Sequence, residues 1–221
     1  MRQLGLWLLI IGTLLALVIV VVQSLGRIME RYAADQQDRQ VPPLTVQDSR
    51  MPVTERIQNL EKYRTQLRSP ERLAQANRDL AVLYEEFGRG QLEQKELAKA
   101  EVSYKKAIDL DPQNPALLSN LADVYYRLAV IEPDAGQRAQ LWRQSGVHWA
   151  KAAQEEPSGE KSIQYREQAG AMLYQFAAEA NELKDVSIRA DVRSALYDAQ
   201  RLASPGSQLE SKVRELLDTL R

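Results

Sequence analysis

One histidine and no cysteine leave a 221-residue chain few routes to covalent or metal chemistry. His148 lies beside Trp149. A zinc site with two imidazoles and a charge-stabilised nucleophilic triad each need parts that are missing, so His148 reads as a packing or surface residue. Without cysteine there is no disulfide, thiolate ligand or cysteine nucleophile, and the redox compartment stays open. Glu85-Glu86 and Glu155-Glu156 fall near expected helix ends as solvated charge, with no aromatic cleft evident that would split them into an acid and a base. Gly88-Arg89-Gly90 is followed by neither GK[ST] nor GxxG and reads as a turn. The expectation is a binding protein, not an enzyme, with no metal and no cofactor.

Charge narrows the partners. Lys and Arg total 29 against 30 Asp and Glu, and the signs alternate along the chain. A duplex binder needs a basic stripe, so nucleic acid is not expected as a partner. A lipid bilayer is. Leu4–Val22 runs nineteen residues without a charge, roughly 28 Å as a helix. It exceeds the usual signal-peptide core, and Val22, Gln23 and Ser24 fit a cleavage site poorly, so an uncleaved single-pass anchor is expected over 1–31. Arg2 and the terminal amine nearly balance Arg27, Arg31 and Arg39 across the span. The short leading tail favours a cytoplasmic amino terminus, with the remainder on the periplasmic or extracellular side. Gly12 and Ala16 form a small-xxx-small face for the alternative of a homo-oligomer. Residues 32–53, with Pro42, Pro43 and Pro52, read as an extended linker.

From Thr54 the apolar spacing is helical, beginning with Ile57, Leu60, Tyr63 and Leu67. Ser69-Pro70 and Asn114-Pro115 start helices, and Ser207 with Glu210 forms a capping box. Helices are expected near 54–68, 70–88, 91–110, 115–131, 135–155, 158–182, 186–203 and 206–220. Within them one pattern occurs twice. Leu80, Ala81 and Tyr84 match Leu121, Ala122 and Tyr125; Ala100, Tyr104, Ala107 and Pro112 match Ser145, Trp149, Ala152 and Pro157.

At these residues the chain resembles the tetratricopeptide repeat family, whose hairpins carry leucine, a small residue and tyrosine on one helix, then small, aromatic and small residues before a proline on the next. The resemblance covers 74–114 and 115–157, with a looser third hairpin at Gln168–Ala203 through Gly170, Tyr174, Leu196 and Ala199. It implies an all-α solenoid of helical hairpins over 54–221, preceded by the single transmembrane helix. The usual 34-residue unit is lengthened by about seven residues, then eleven. These are near-integral helical turns, so long hairpins are expected in place of disordered inserts. The helices at 54–68 and 207–221 are expected to cap the stack, because repeats expose apolar faces at their ends.

The family's groove is lined by the first helices, which places Arg78, Asp79, Val82, Glu86, Asn120, Asp123, Tyr126 and Arg127 on the expected partner surface. Asn120 stands where relatives that grip a peptide carboxylate carry asparagine, whereas Val82 replaces a second one. Tyr126 and Arg127 are the expected hot spots. The function implied is a membrane-anchored scaffold or adaptor that binds helices or extended segments of other proteins and assembles or stabilises a membrane-associated complex. A self-assembling structural subunit and an exported chaperone-like holder of clients are the alternatives.

Overall fold

Several helix starts in this chain are set by side chains that take up otherwise unpaired backbone N–H groups. Asn114 accepts from the Ala116 amide at 3.1 Å, with Pro115 in the first turn. Asp134 accepts from Gln137 at 2.7 Å and Ser207 from Glu210 at 3.2 Å, while Glu210 reaches back to the Gly206 amide. The computed structural model describes the backbone of residues 2–39, 51–156, 158–183 and 189–220, with side chains from residue 16 onward. It is helical throughout, without a strand among the described residues. The elements are α1 (Arg2–Asp38), α2 (Val53–Gln66), α3 (Pro70–Glu93), α4 (Leu97–Leu110), α5 (Pro115–Ile131), α6 (Ala135–Glu155), α7 (Glu160–Glu182), α8 (Arg189–Leu202) and α9 (Gln208–Thr219).

The chain divides into two units, Met1–Asn77 and Arg78–Arg221, with the boundary inside α3. In the first unit, α1 continues helical through residue 38, into what the sequence reads as linker, and 40–50 lie outside the described residues. The buried Asp38 carboxylate accepts from the Arg68 and Ser69 amides, both at 2.7 Å. Its carbonyl accepts from the Arg72 guanidinium at 2.8 Å. Ile57, Leu60 and Leu67 are buried in this unit. Among the described residues no helix is long and apolar enough to cross a membrane. The side chains of 1–15, which hold most of Leu4–Val22, lie outside those described.

In the second unit the repeated small residues are where helix backbones meet. Ala100, Ala107, Ala122 and Ala152 have no exposed surface, and Leu80, Ala81, Tyr84, Tyr104, Leu121 and Tyr125 are buried around them. Pro112 follows α4 and is exposed, while Pro157 lies outside the described residues. Ser145, at an alanine position of the pattern, is fully buried and donates to the Ala122 carbonyl of α5 at 2.8 Å. One cluster gathers Ala100, Tyr104, Leu121, Val124 and Tyr125 from α4 and α5. Another joins α7, α8 and α9 through Phe176, Leu196, Ala199 and Val213.

The turn expected at Gly88–Gly90 is not there. Both glycines lie within α3, and the chain reverses at Gln94–Glu96. Gly88 serves close packing: a Cβ on it would stand 3.0 Å from the Tyr104 ring. The turn is closed by the Glu96 amide on the Gln91 carbonyl and the Lys95 amide on Leu92, with Lys95 itself at φ 61°. That is a Schellman ending with lysine where glycine is usual. In the second lengthened hairpin α6 runs through 137–141 without a break, whereas in the first α3 extends to Glu93 before the chain turns into α4.

Glycines at contacts and in open space must therefore respond oppositely to alanine. A Cβ at Gly146 would lie 2.8 Å from Leu173 Cγ and 3.1 Å from its backbone nitrogen, whereas at Gly90 it would meet nothing within 4 Å. Urea unfolding of Gly90→Ala should show a gain of up to about 1 kcal/mol. Gly146→Ala should lose about 1–3 kcal/mol through overpacking, despite the same helix-propensity gain.

Candidate functional site

Helices α5, α6 and α7 pack in sequence, and the first and last of them turn polar and aromatic side chains to one opening. Asp123 and Tyr126 of α5, Trp149 of α6, and Gln164, Tyr165, Gln168 and Met172 of α7 line a cleft of about 540 Å³. The positions on α7 recur at helical spacing, which brings Gln164, Gln168 and Met172 to the same face. Trp149 and Tyr165 form one aromatic wall, with ring centroids 5.4 Å apart and planes at 39°. Tyr126, 41% exposed, is held edge-on by Trp142 of α6 at 5.6 Å. Trp142 is fixed in turn by its indole N–H on Glu179 of α7 at 3.1 Å, and Arg138 also pairs with Glu179. The glutamate ties α6 to α7 beside the cleft.

The eight expected groove residues do not share one surface feature. Only Asp123 and Tyr126 line the cleft. Arg127 holds Asp123 from one turn on, Nε to Oδ2 at 2.7 Å. The Asn120 amide donates to Glu85 Oε1 at 3.0 Å, so it is engaged with a carboxylate of its own chain. Val82 is 58% exposed on α3, and Arg78, Asp79 and Glu86 lie on the same helix. The α7 side chains were absent from the expectation because the third hairpin could not be set in register. Trp149 was assigned to the repeat's framework, although it is only partly buried.

A second cleft of about 620 Å³ lies between α8 and α9, but its arginines are engaged: Arg193 donates to the Leu220 carbonyl and Arg214 to Glu210. The Tyr104 phenol is pushed up to about 12, first by burial and then by the nearby Glu85 carboxylate. His148 stacks at 5.4 Å from Tyr125 and its Nδ1 lies 2.9 Å from the Gln144 carbonyl. Burial holds its pKa below the ordinary imidazole value, and the charges of Lys151 and Lys105 push the same way against the Gln144 hydrogen bond. This is a packed histidine. No group of three or more metal-ligating side chains occurs among the described residues.

Paired helices stacked in order, with an open aromatic cleft on one side, define a helical-repeat protein. Residues 88–128, from late α3 through most of α5, match the family model described as TPR repeat, so that stretch is similar to a tetratricopeptide repeat. No curated protein matches its sequence. Among solved structures, the N-terminal domain of stress-induced protein-1 (STI-1) from C. elegans aligns at 22% identity over 64% of this chain and 98% of that one, with a TM-score of 0.41. The first TPR of Spaghetti (RPAP3), bound to the HSP90 peptide SRMEEVD, aligns at 18% identity over 63% and 92%, with a TM-score of 0.37.

A depressed histidine pKa has a definite sign. The folded state favours neutral His148, so stability is full above the unfolded value of about 6.5 and falls as pH drops through the lower folded value. Thermal melts between about pH 7.5 and 5.5 should show a larger loss for the native chain than for His148→Gln. Carboxylate titration is common to both and cancels in the difference.

Proposed function

We propose that the chain is a membrane-anchored interaction module that holds a segment of another protein in the α5–α6–α7 cleft and so assembles or stabilises a membrane-associated complex. The observation that supports this most is the cleft itself: three aromatic rings, two carboxamides and a carboxylate converge on an open groove. Aromatic rings give large contact area at small entropic cost, and carboxamides pair with the N–H and C=O groups of an extended backbone. No nucleophile, base and orienting partner converge there, and binding without chemistry is the reading that uses every side chain present.

The anchor reading draws support from α1. Leu17, Val18, Ile19, Val20, Val21 and Val22 are all 48–63% exposed, and the apolar surface continues to Leu25, Ile28 and Met29. Such a surface is costly in water and suits a lipid environment. With the amino terminus cytoplasmic, α2 to α9 lie on the outer side of that membrane.

Two experiments test the two parts. Affinity capture in mild detergent should retain one or two stoichiometric partners, and a Tyr126→Ala, Trp149→Leu double variant that melts like the native chain should lose about tenfold or more in partner yield, because two aromatic anchors are removed. Undiminished capture by the folded variant would place the partner elsewhere, and weak capture of many sequences would favour a client holder. For orientation, the cysteine-free chain permits a single Ser194→Cys on the exposed face of α8, which avoids the capping Ser207. Labelling by an impermeant maleimide before cell lysis is the expected result, and labelling only after lysis would reverse the orientation.

A further inference from the structure

We infer that the α5–α6–α7 cleft recognises an arginine side chain presented by an extended segment of its partner. This rests on the reading of the cleft as a protein-binding site and adds the chemistry that selects the segment.

The lining residues contain a carboxylate and no base. Asp123 is the sole charged group among Asp123, Tyr126, Trp149, Gln164, Tyr165, Gln168 and Met172. The π faces of three rings are electron-rich, and a cation set over tryptophan or tyrosine is attracted to the ring quadrupole. A guanidinium is planar and weakly hydrated, so it can lie against an aromatic wall while its edge N–H groups remain free to donate. The Trp149–Tyr165 pair supplies such a wall, and the acceptors within the cleft are the Asp123 carboxylate and the side-chain oxygens of Gln164 and Gln168. An acidic segment would meet Asp123, whose paired cation, Arg127, stands outside the lining.

Arg127 does not close the site. It occupies one oxygen of Asp123 across one helical turn, at a rim where the two side chains are 52% and 37% exposed. Exposed pairs of this spacing are weak in water and yield readily to a partner that approaches from a less solvated side. Asn120 stands outside the lining, with its amide donated to Glu85.

The test uses the full chain in detergent micelles and reads the Trp149 indole N–H resonance, assigned by comparison with Trp149→Phe. Three capped hexapeptides of glycine and serine are titrated, bearing one arginine, one citrulline or one glutamate at the same position. Citrulline keeps the shape of arginine and removes its charge. The arginine peptide should shift the resonance saturably, about tenfold more tightly than the citrulline peptide, and the glutamate peptide should be weaker still. Asp123→Asn, which keeps an acceptor for Arg127, should erase most of the arginine preference.

Equal binding of arginine and citrulline, tighter binding of glutamate, an unchanged preference in Asp123→Asn, or no saturable shift with any peptide would each overturn the inference. If any of these occurs while partner capture still depends on Tyr126 and Trp149, the cleft binds protein but does not select arginine. If capture is also indifferent to those two residues, the binding role of the cleft falls with it.

Discussion

Close approach of helix backbones is the constraint from which the rest of the second unit follows. It is possible only where side chains are small, and Ala100, Ala107, Ala122, Ala152, Ala169 and Ala199 occupy such places with no exposed surface. Gly146 and Gly170 do the same against Leu173 and Leu209. With the backbones this near, a large ring between them must fit the remaining space closely, since interiors pack at crystal-like density. Tyr104 over Gly88 is one such fit. Burial raises its phenol from about 10 to about 12, and the ring fills the gap with a neutral hydroxyl at its tip.

Polar groups enter this packing only with partners. The buried Ser145 hydroxyl satisfies itself on Ala122, and Ser103 donates to Gln91 at 2.7 Å between α4 and α3. No buried side-chain nitrogen or oxygen among the described residues lacks a partner. The Glu179 cluster goes further, because one carboxylate fixes both Arg138 and Trp142 and thereby the support for Tyr126. Removing such a partner leaves a charge half out of water, which costs more than the bond contributes. The cleft therefore takes the support of Tyr126 from this hydrogen-bonded cluster, while Gln164 and Gln168 stand exposed on α7.

Much of the fold was legible in the sequence because periodicity and caps are local. Asn114-Pro115, Ser207 with Glu210, and the repeated small-aromatic-small spacing each mark a helix start or a buried face, and the structure places them so. What was not legible depended on distant contacts. Gly88 looks like a turn until Tyr104 is packed on it, and Lys95 gives no glycine signal at the true turn. Asp38 carries no mark of burial in a polar stretch, since its partners are backbone amides thirty residues away. The cleft was read only by half: Asp123 and Tyr126 follow from repeat register, whereas Gln164, Tyr165, Gln168 and Met172 require knowing how α7 turns against α5, which no strict repeat signature specifies.

Asp38 also bears on how this chain can vary. Its carboxylate grips main-chain N–H groups, which every residue but proline supplies, so the contact tolerates almost any side chain at 68 and 69. The end of α1 is thereby fixed against the start of α3 by atoms that substitution at those two positions leaves in place. Sequence at this junction is free to drift while its geometry is kept, with proline as the one exclusion.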